Sequence, residues 1–409
     1  VTISKRLTVT ENLDHIARAF SRLEAAALRL CYREGLDRRT LARALDLPSA
    51  EAAQKLIQRL VARPRYPFES ELPRSASGAR RQTEYIRWVI ALVCADPVRL
   101  DPAYPEPQRR PGEALLALRV AGICDTDLQL CRGYMRYRGV LGHEAVAEVL
   151  DADDRAWIGQ RVVADINAGC GTCSDCVGGL GHHCPARSVL GISGRDGALS
   201  ERFTMPERTL VQVPESVPDS WAVFAEPLAA ALHVLHDLPA TDGPTVVLGD
   251  GKLGLLIAYA LRSVGRRTLV VGHHEAKLAL CRAVGAETVL ERDLPAEHGT
   301  MPAVVEATGS AGGIALALSL VRPRGHVLLK TTVAGKTELD LSPIVIHELR
   351  VVGSRCGDLR EAVAALAGGL DPTPLVAARY SLDQAAFALS HASRPGTLKV
   401  LVDGLPSLR

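Results

Sequence analysis

A chain of 409 residues with 47% apolar side chains can form two or three domains with sizeable cores. Its formal net charge of +2 argues against a chain-wide role in binding nucleic acid or an anionic membrane. No apolar run reaches the roughly 18–20 residues that span a bilayer, and the first residues lack the charged-then-apolar pattern of a signal peptide. The expected setting is therefore the cytoplasm, with no membrane partner.

The charge is uneven. Residues 1–85 carry 16 Lys/Arg against 10 Asp/Glu, and the remainder 32 against 36. That contrast points to an N-terminal module of separate character. Residues 11–34 place Leu13, Ile16, Ala17, Phe20, Leu23, Ala27 and Leu30 on one helical stripe, ended by Gly35. A short helix over 38–45 and a third opened by Ser49 follow, which is helix-turn-helix spacing. The stretch resembles the DNA-binding region of sigma-type transcription factors. The resemblance implies that Gln54, Lys55, Gln58 and Arg59 would face a major groove. A helical appendage that packs on the body or mediates assembly is the competing reading. The small all-α module is expected over 1–63, with a Pro/Ser/Arg-rich linker over 64–85. Nucleic acid is a possible partner only through residues 1–63.

From Ile86 the pattern turns to strands: WVIALVC, EALLALRVAGIC and Val162 to Ala164. Cys124, in GICDTD, and Gly142-His143-Glu144 offer a thiolate, an imidazole and a carboxylate, donor types a catalytic zinc uses. Each alone reads as an ordinary core residue; their value lies in their company. Cys170, Cys173, Cys176 and Cys184 stand as C-x2-C-x2-C-x7-C. Four thiolates on one glycine-rich loop close a tetrahedral shell, so a structural zinc is expected there rather than a disulfide framework. An iron–sulfur run would have a last gap of three before its Cys-Pro, not seven. Glu226, in FAEPL, is a further carboxylate, with a plain helix N-terminal role as its alternative.

Thr245 to Leu248 begins strands alternating with helices to about Gly353. Val246 to Leu255 reads strand, then Gly249-Asp250-Gly251-Lys252-Leu253-Gly254, then helix, with a second strand at 268–271. This is the context a dinucleotide fingerprint requires, the pyrophosphate lying at the helix N-terminus. The acidic residue that would bind the ribose of NAD is replaced by Gly272. His273 and His274, with Arg266 or Arg267, could instead meet a 2′-phosphate, so NADP is favoured over NAD. Glu275, slightly later, leaves NAD open.

Together, PGEALLALRVAGICDTD, GVLGHEAVAEV, the four-cysteine loop, AEPLAAALHV, VLGDGKLG, EATGS and VVGSRCG resemble the zinc-dependent medium-chain dehydrogenase/reductase family. The similarity is to its sorbitol, threonine and glucose dehydrogenase branch and covers about residues 86–403. It implies an α/β fold in which a GroES-like β-rich catalytic domain, residues 86–237 and 354–409, is interrupted by a Rossmann doubly wound parallel sheet, residues 238–353. By resemblance, Cys124, His143, Glu144 and Glu226 surround the catalytic zinc, so two zinc ions are expected per chain. Asp127 orients the histidine, Thr126 neighbours the substrate oxygen, and Arg355 and Lys399 are candidates near the pyrophosphate. The activity implied is hydride transfer between an alcohol or polyol and NAD(P), in a dimer or tetramer. One departure is Gln129, which cannot titrate and stands where some members have a proton-relaying histidine. A DNA-binding regulator using the dehydrogenase body as a cofactor sensor is the alternative function.

Overall fold

The computed structural model describes residues 88–294, 299–332 and 338–405. The expected helix-turn-helix module and linker, with Gln54, Lys55, Gln58 and Arg59, lie outside the described residues. The chain divides into two compact units, Val1–Ala91 with Leu100–Glu106, and Leu92–Arg99 with Pro107–Arg409. In the first, the described residues except Glu106 belong to two extended strands. The second holds everything discussed below.

In chain order the second unit begins with a long strand, β1 (Glu113–Ile123), followed by α1 (Asp125–Cys131) and β2 (Glu144–Asp151). Strands β3 (Arg161–Ala164), β4 (Arg202–Pro206) and β5 (Leu210–Gln212) follow, then helix α2 (Ala225–Leu232). The next stretch alternates strand and helix: β6 (Thr245–Leu248), α3 (Lys252–Ser263), β7 (Thr268–Gly272), α4 (Glu275–Ala283), β8 (Glu287–Leu290) and β9 (Met301–Glu306). Helix α5 (Gly313–Leu320), β10 (Val321–Leu329), α6 (Ser342–Ile346) and β11 (Arg350–Gly353) complete that region. Helix α7 (Leu359–Ala367) and strands β12 (Val376–Ser381) and β13 (Lys399–Asp403) follow.

Two large sheets result. One runs β5-β3-β2-β1-β13-β12, with β4 also paired to β1. Its pairs are antiparallel except β12 with β13. The last strand therefore returns to the first: Val400 pairs with Ile123 and Val402 with Ala121. The other sheet is wholly parallel, in the order β8-β7-β6-β9-β10-β11. The fold is thus α/β, a GroES-like β-rich part with a Rossmann-type parallel sheet.

The difference in patterning follows from burial. Parallel strands are covered on both faces and read as continuous apolar runs; all four residues of β6, Thr-Val-Val-Leu, are buried. Helix α3 is apolar nearly all round because it is buried from Gly254 to Leu261, a run that includes Leu255, Leu256 and Ile257. Full burial of each such leucine contributes roughly 1.5–3 kcal/mol before entropy is counted. The same core includes Phe224 and Leu228 of the α2 region and Leu401 of β13, so it joins both sheets.

Candidate active site and cofactor turn

Cys124 directly follows β1 and is the N-cap of α1, in extended conformation at φ −101°. Its backbone N–H donates to Asp127 Oδ2 at 2.9 Å, closing the first turn of the helix. Asp127 Oδ1 accepts the Gly142 N–H at 3.1 Å and faces His143 Nδ1 at 3.4 Å. One buried carboxylate thus ties together the two chain segments that carry the thiol and the imidazole. Gly142 makes this possible. Its φ is +95°, and a Cβ there would lie 2.7 Å from the backbone nitrogen of Leu199. The Thr126 hydroxyl lies 3.7 Å from Cys124 Sγ.

Ligand atoms of Cys124, His143 and Glu144 lie within 4.8 Å of one another. His143 and Glu144 are buried. Burial opposes charge on His143, but the Asp127 carboxylate and Cys124 outweigh it and hold its pKa well above the usual value. Burial likewise opposes charge on Asp127, yet His143 and the N–H groups of Cys124 and Gly142 hold its carboxyl below the usual range. Glu144 Oε2 is paired with the ammonium of Lys399, whereas Oε1 is buried without a partner. A buried carboxylate oxygen left unsatisfied is costly. Glu144 offers a carboxylate oxygen within 4.8 Å of a thiol and an imidazole, and that donor set fits a zinc ion. Glu226 lies outside this group of three. Burial, opposed by His143 and reinforced by Glu144, pushes its carboxyl up to about 7.

Cys170, Cys173, Cys176 and Cys184 also converge, with ligand atoms within 4.8 Å of one another. Cys170 Sγ accepts N–H groups from Thr172 at 3.5 Å and Cys173 at 3.3 Å. The donors from Thr172 and Cys173 lower its thiol to about 5. Cys184 Sγ accepts the Cys170 N–H at 3.4 Å. Backbone donors turned onto sulfur suit thiolates, and four of them fit a closed zinc shell.

Gly249 leaves β6 at φ +110°, and a Cβ on it would strike the carbonyl of Ala307. Gly254 lies so close to the Gly249 carbonyl that no side chain fits, while the space beside Gly251 is open. A cradle that a side chain would fill is what a pyrophosphate needs. Leu253 packs partly into the core. The Lys252 ammonium is placed on Asp125, at 2.7 Å.

Several expected cofactor residues are placed otherwise. Lys399 is 2% exposed with its charge committed to Glu144, so it is a partner of the Cys124–His143–Glu144 cluster rather than an open phosphate ligand. Arg355 donates to Asn167 Oδ1 at 3.0 Å and the His182 carbonyl at 2.8 Å. It lines a cavity of about 720 Å³ with Asp165, His233 and Cys356. Arg266 and Arg267 sit at the start of β7, away from the turn. They bond the carbonyls of Leu238 and Pro239 and the Glu287 carboxylate respectively. His273 pairs with Glu291 at 3.3 Å, and His274 Nδ1 with Asp250 Oδ2 at 2.9 Å.

Two residues not singled out by the motifs stand out. Asp250 sends its carboxylate to the end of β7. Lys330, just beyond β10, donates to Ser354 Oγ at 2.8 Å, and burial lowers its pKa to about 8. Neither has a sequence signal: a lysine after an apolar strand normally reads as solvated.

The family described as alcohol dehydrogenase GroES-like domain matches residues 110–215, and that described as zinc-binding dehydrogenase matches residues 253–368. An L-threonine 3-dehydrogenase of Streptomyces coelicolor is 30% identical over 73% of this chain and 94% of its own. An erythritol/L-threitol dehydrogenase of Mycolicibacterium smegmatis is 30% identical over 65% of this chain and 83% of its own. A Sinorhizobium meliloti protein classed with zinc-binding dehydrogenases and solved with NADP superposes with a TM-score of 0.71 at 27% identity. That match covers 78% of this chain and 99% of the other. An Escherichia coli alcohol dehydrogenase solved with NADH gives 0.71 at 25% identity, over 77% and 99%.

Proposed function

The chain belongs to the zinc-dependent medium-chain dehydrogenase family, and we propose that its reaction is carried out at Cys124, His143 and Glu144, on an alcohol or polyol. The observation that carries this reading is the convergence of those three donors beside an unpartnered Glu144 oxygen. A zinc ion held by them would supply Lewis acidity that lowers the pKa of a substrate hydroxyl. A nicotinamide dinucleotide on the GDGKLG turn would exchange the hydride.

The remaining work falls to the chain's own groups. Asp127 stands 3.4 Å from Nδ1 of His143, and we assign Nε2 to the ligand position. Thr126 presents its hydroxyl beside Cys124 and is the residue we assign to take the substrate proton onward. Gln129 is exposed and cannot accept that proton. Lys399 holds Oε2 of Glu144, which leaves Oε1 as the oxygen we assign to the ligand position. Glu226 is assigned to the rim of the cluster, where it affects the charge balance without joining the three close donors.

The catalytic part is assigned to residues 86–237 and 354–409, the cofactor part to 238–353, and a second, closed zinc to Cys170, Cys173, Cys176 and Cys184. The threonine and four-carbon polyol relatives support a small hydroxylated substrate. The expected NADP preference would require His273 and His274 to leave Glu291 and Asp250 for a phosphate. No helix among the described residues is long and apolar enough to cross a membrane. Four grouped thiols suit a reducing compartment, and we place the chain in the cytoplasm. A homo-oligomer is supported by the apolar edge beside β11, discussed below.

The deciding experiment is a cofactor-reduction screen over polyols, amino alcohols and simple alcohols, with Cys124→Ala as the control. Turnover should vanish in Cys124→Ala while NADH binding persists, and zinc content should fall from two ions per chain to one. Turnover equal to that of the unmodified chain would refute the assignment.

A further inference from the structure

The second position of the glycine fingerprint is Asp250, buried to 5% exposure between Gly249 and Gly251. In a doubly wound sheet the adenosine half of a dinucleotide lies over the ends of the first two strands, here β6 and β7. The groups at the end of β7 therefore decide whether a ribose 2′-hydroxyl or a 2′-phosphate is accepted. A phosphate there would need N–H donors from the turn and the following helix, with cationic side chains nearby.

Those donors are already used. Asp250 Oδ2 accepts the backbone N–H of His273 at 2.9 Å and that of His274 at 2.6 Å. The same oxygen meets the His274 ring at 2.9 Å. His274 is the N-cap of α4, so Asp250 occupies the anion position of that helix start. The volume is taken as well: a Cβ at Gly272 would lie 2.6 Å from Asp250 Cβ and 2.8 Å from Oδ2. The carboxylate that would ordinarily project from the strand end comes instead from the neighbouring turn.

We infer that Asp250 is a built-in occupant of the 2′-phosphate position and makes this chain select NAD over NADP. This rests on the dinucleotide reading of the GDGKLG turn and reverses the preference expected from Gly272 and the two histidines. The charge argument runs the same way. Asp250 is held as a carboxylate by its N–H donors against the effect of burial. A fixed anion repels a phosphate and accepts a hydrogen bond from a neutral hydroxyl. The cations that might offset it are mostly engaged elsewhere. Arg266 and Arg267 lie at the far end of β7, and His273 is turned to Glu291. Lys277, within α4, is the cation Asp250 still feels.

The test is the binding of NADH and NADPH, read by cofactor fluorescence in the full chain loaded with zinc, so that no substrate is needed. The unmodified chain should bind NADH at least tenfold more tightly than NADPH. Asp250→Ala should free the donors of the turn and tighten NADPH at least tenfold, with NADH changed less. Asp250→Asn, which keeps an acceptor but loses the charge, should move the ratio part of the way and guards against misfolding of the alanine variant. An unmodified chain that prefers NADPH would overturn the inference, as would a ratio that moves less than twofold in both variants while NADH still binds. If the unmodified chain binds neither cofactor, the dinucleotide reading itself fails.

Discussion

Glu144 and Lys399 are 255 positions apart and meet as a sealed ion pair, with side chains 1% and 2% exposed. In the zinc-free chain, breaking such a pair on one side leaves a buried charge without its counterion. Lys399→Met should therefore cost about 3–5 kcal/mol, read as a lower urea midpoint. Adding Glu144→Gln should restore part of the loss, because the stranded charge is then gone. An unchanged midpoint in the single variant would contradict the pairing. Lys330 offers a case with the opposite sign. Its folded pKa is about 8 against a usual 10.5. Below pH 8 both states hold the proton, and the folded chain bears the full cost of the buried charge. Between about 8 and 10.5 the unfolded chain holds a proton that the folded chain has released, so stability rises with pH across that window. Lys330→Met should be more stable than the unmodified chain at pH 7 by on the order of 2 kcal/mol and should lack this rise. A variant with the same pH slope would place the titration elsewhere.

At the scale of elements, legibility followed sequence distance. The GDGKLG turn could be read because its strand, glycines and helix are contiguous, and steric limits act within ten residues. The four-cysteine loop was legible for the same reason. Cys124 and His143 could be grouped by donor type but given ligand roles only through resemblance, since the contact depends on Asp127 bridging β1–α1 to the turn at Gly142. Lys399 and Arg355 were aimed at the pyrophosphate, but their partners come from β2 and from the segment around Asn167, which no local pattern reveals. Asp250 was hidden in a position where fingerprints allow any residue. The cysteine loop also carries its own prediction. Helical and strand segments there are short, Ser174–Val177 and Asn167–Ala168, so the zinc proposed for the four sulfurs would do much of the ordering. Cys173→Ser should release one zinc per chain and make residues 170–184 the first site cut in limited proteolysis, while the other zinc remains. Equal protease resistance would show that the loop orders itself.

For the molecule as a whole, the parallel sheet ends at β11, whose outer edge has no strand partner among the described residues. An open edge is a pairing template unless charge or cover blocks it. Here the nearby surface mixes exposed charge at Glu348 and Arg350 with apolar side chains: Val352 is 41% exposed, and around α6 Leu341, Val345 and Ile346 are 59%, 77% and 72% exposed. Four large apolar side chains clustered in sequence around one strand edge are more than scattered surface exposure. Two copies related by a twofold axis can set β11 against β11 antiparallel, since such an interface uses the same patch on both subunits. The contact would continue the six-stranded sheet across the axis and cover α6 from both sides. Placing charges at its centre should then act on assembly and leave the Cys124–His143–Glu144 cluster, built on β1, α1 and β2, in place. Val345→Asp with Ile346→Asp should convert a dimer to a monomer in light scattering, with zinc content unchanged. If the double variant keeps the mass of the unmodified chain, the subunits meet through some other face.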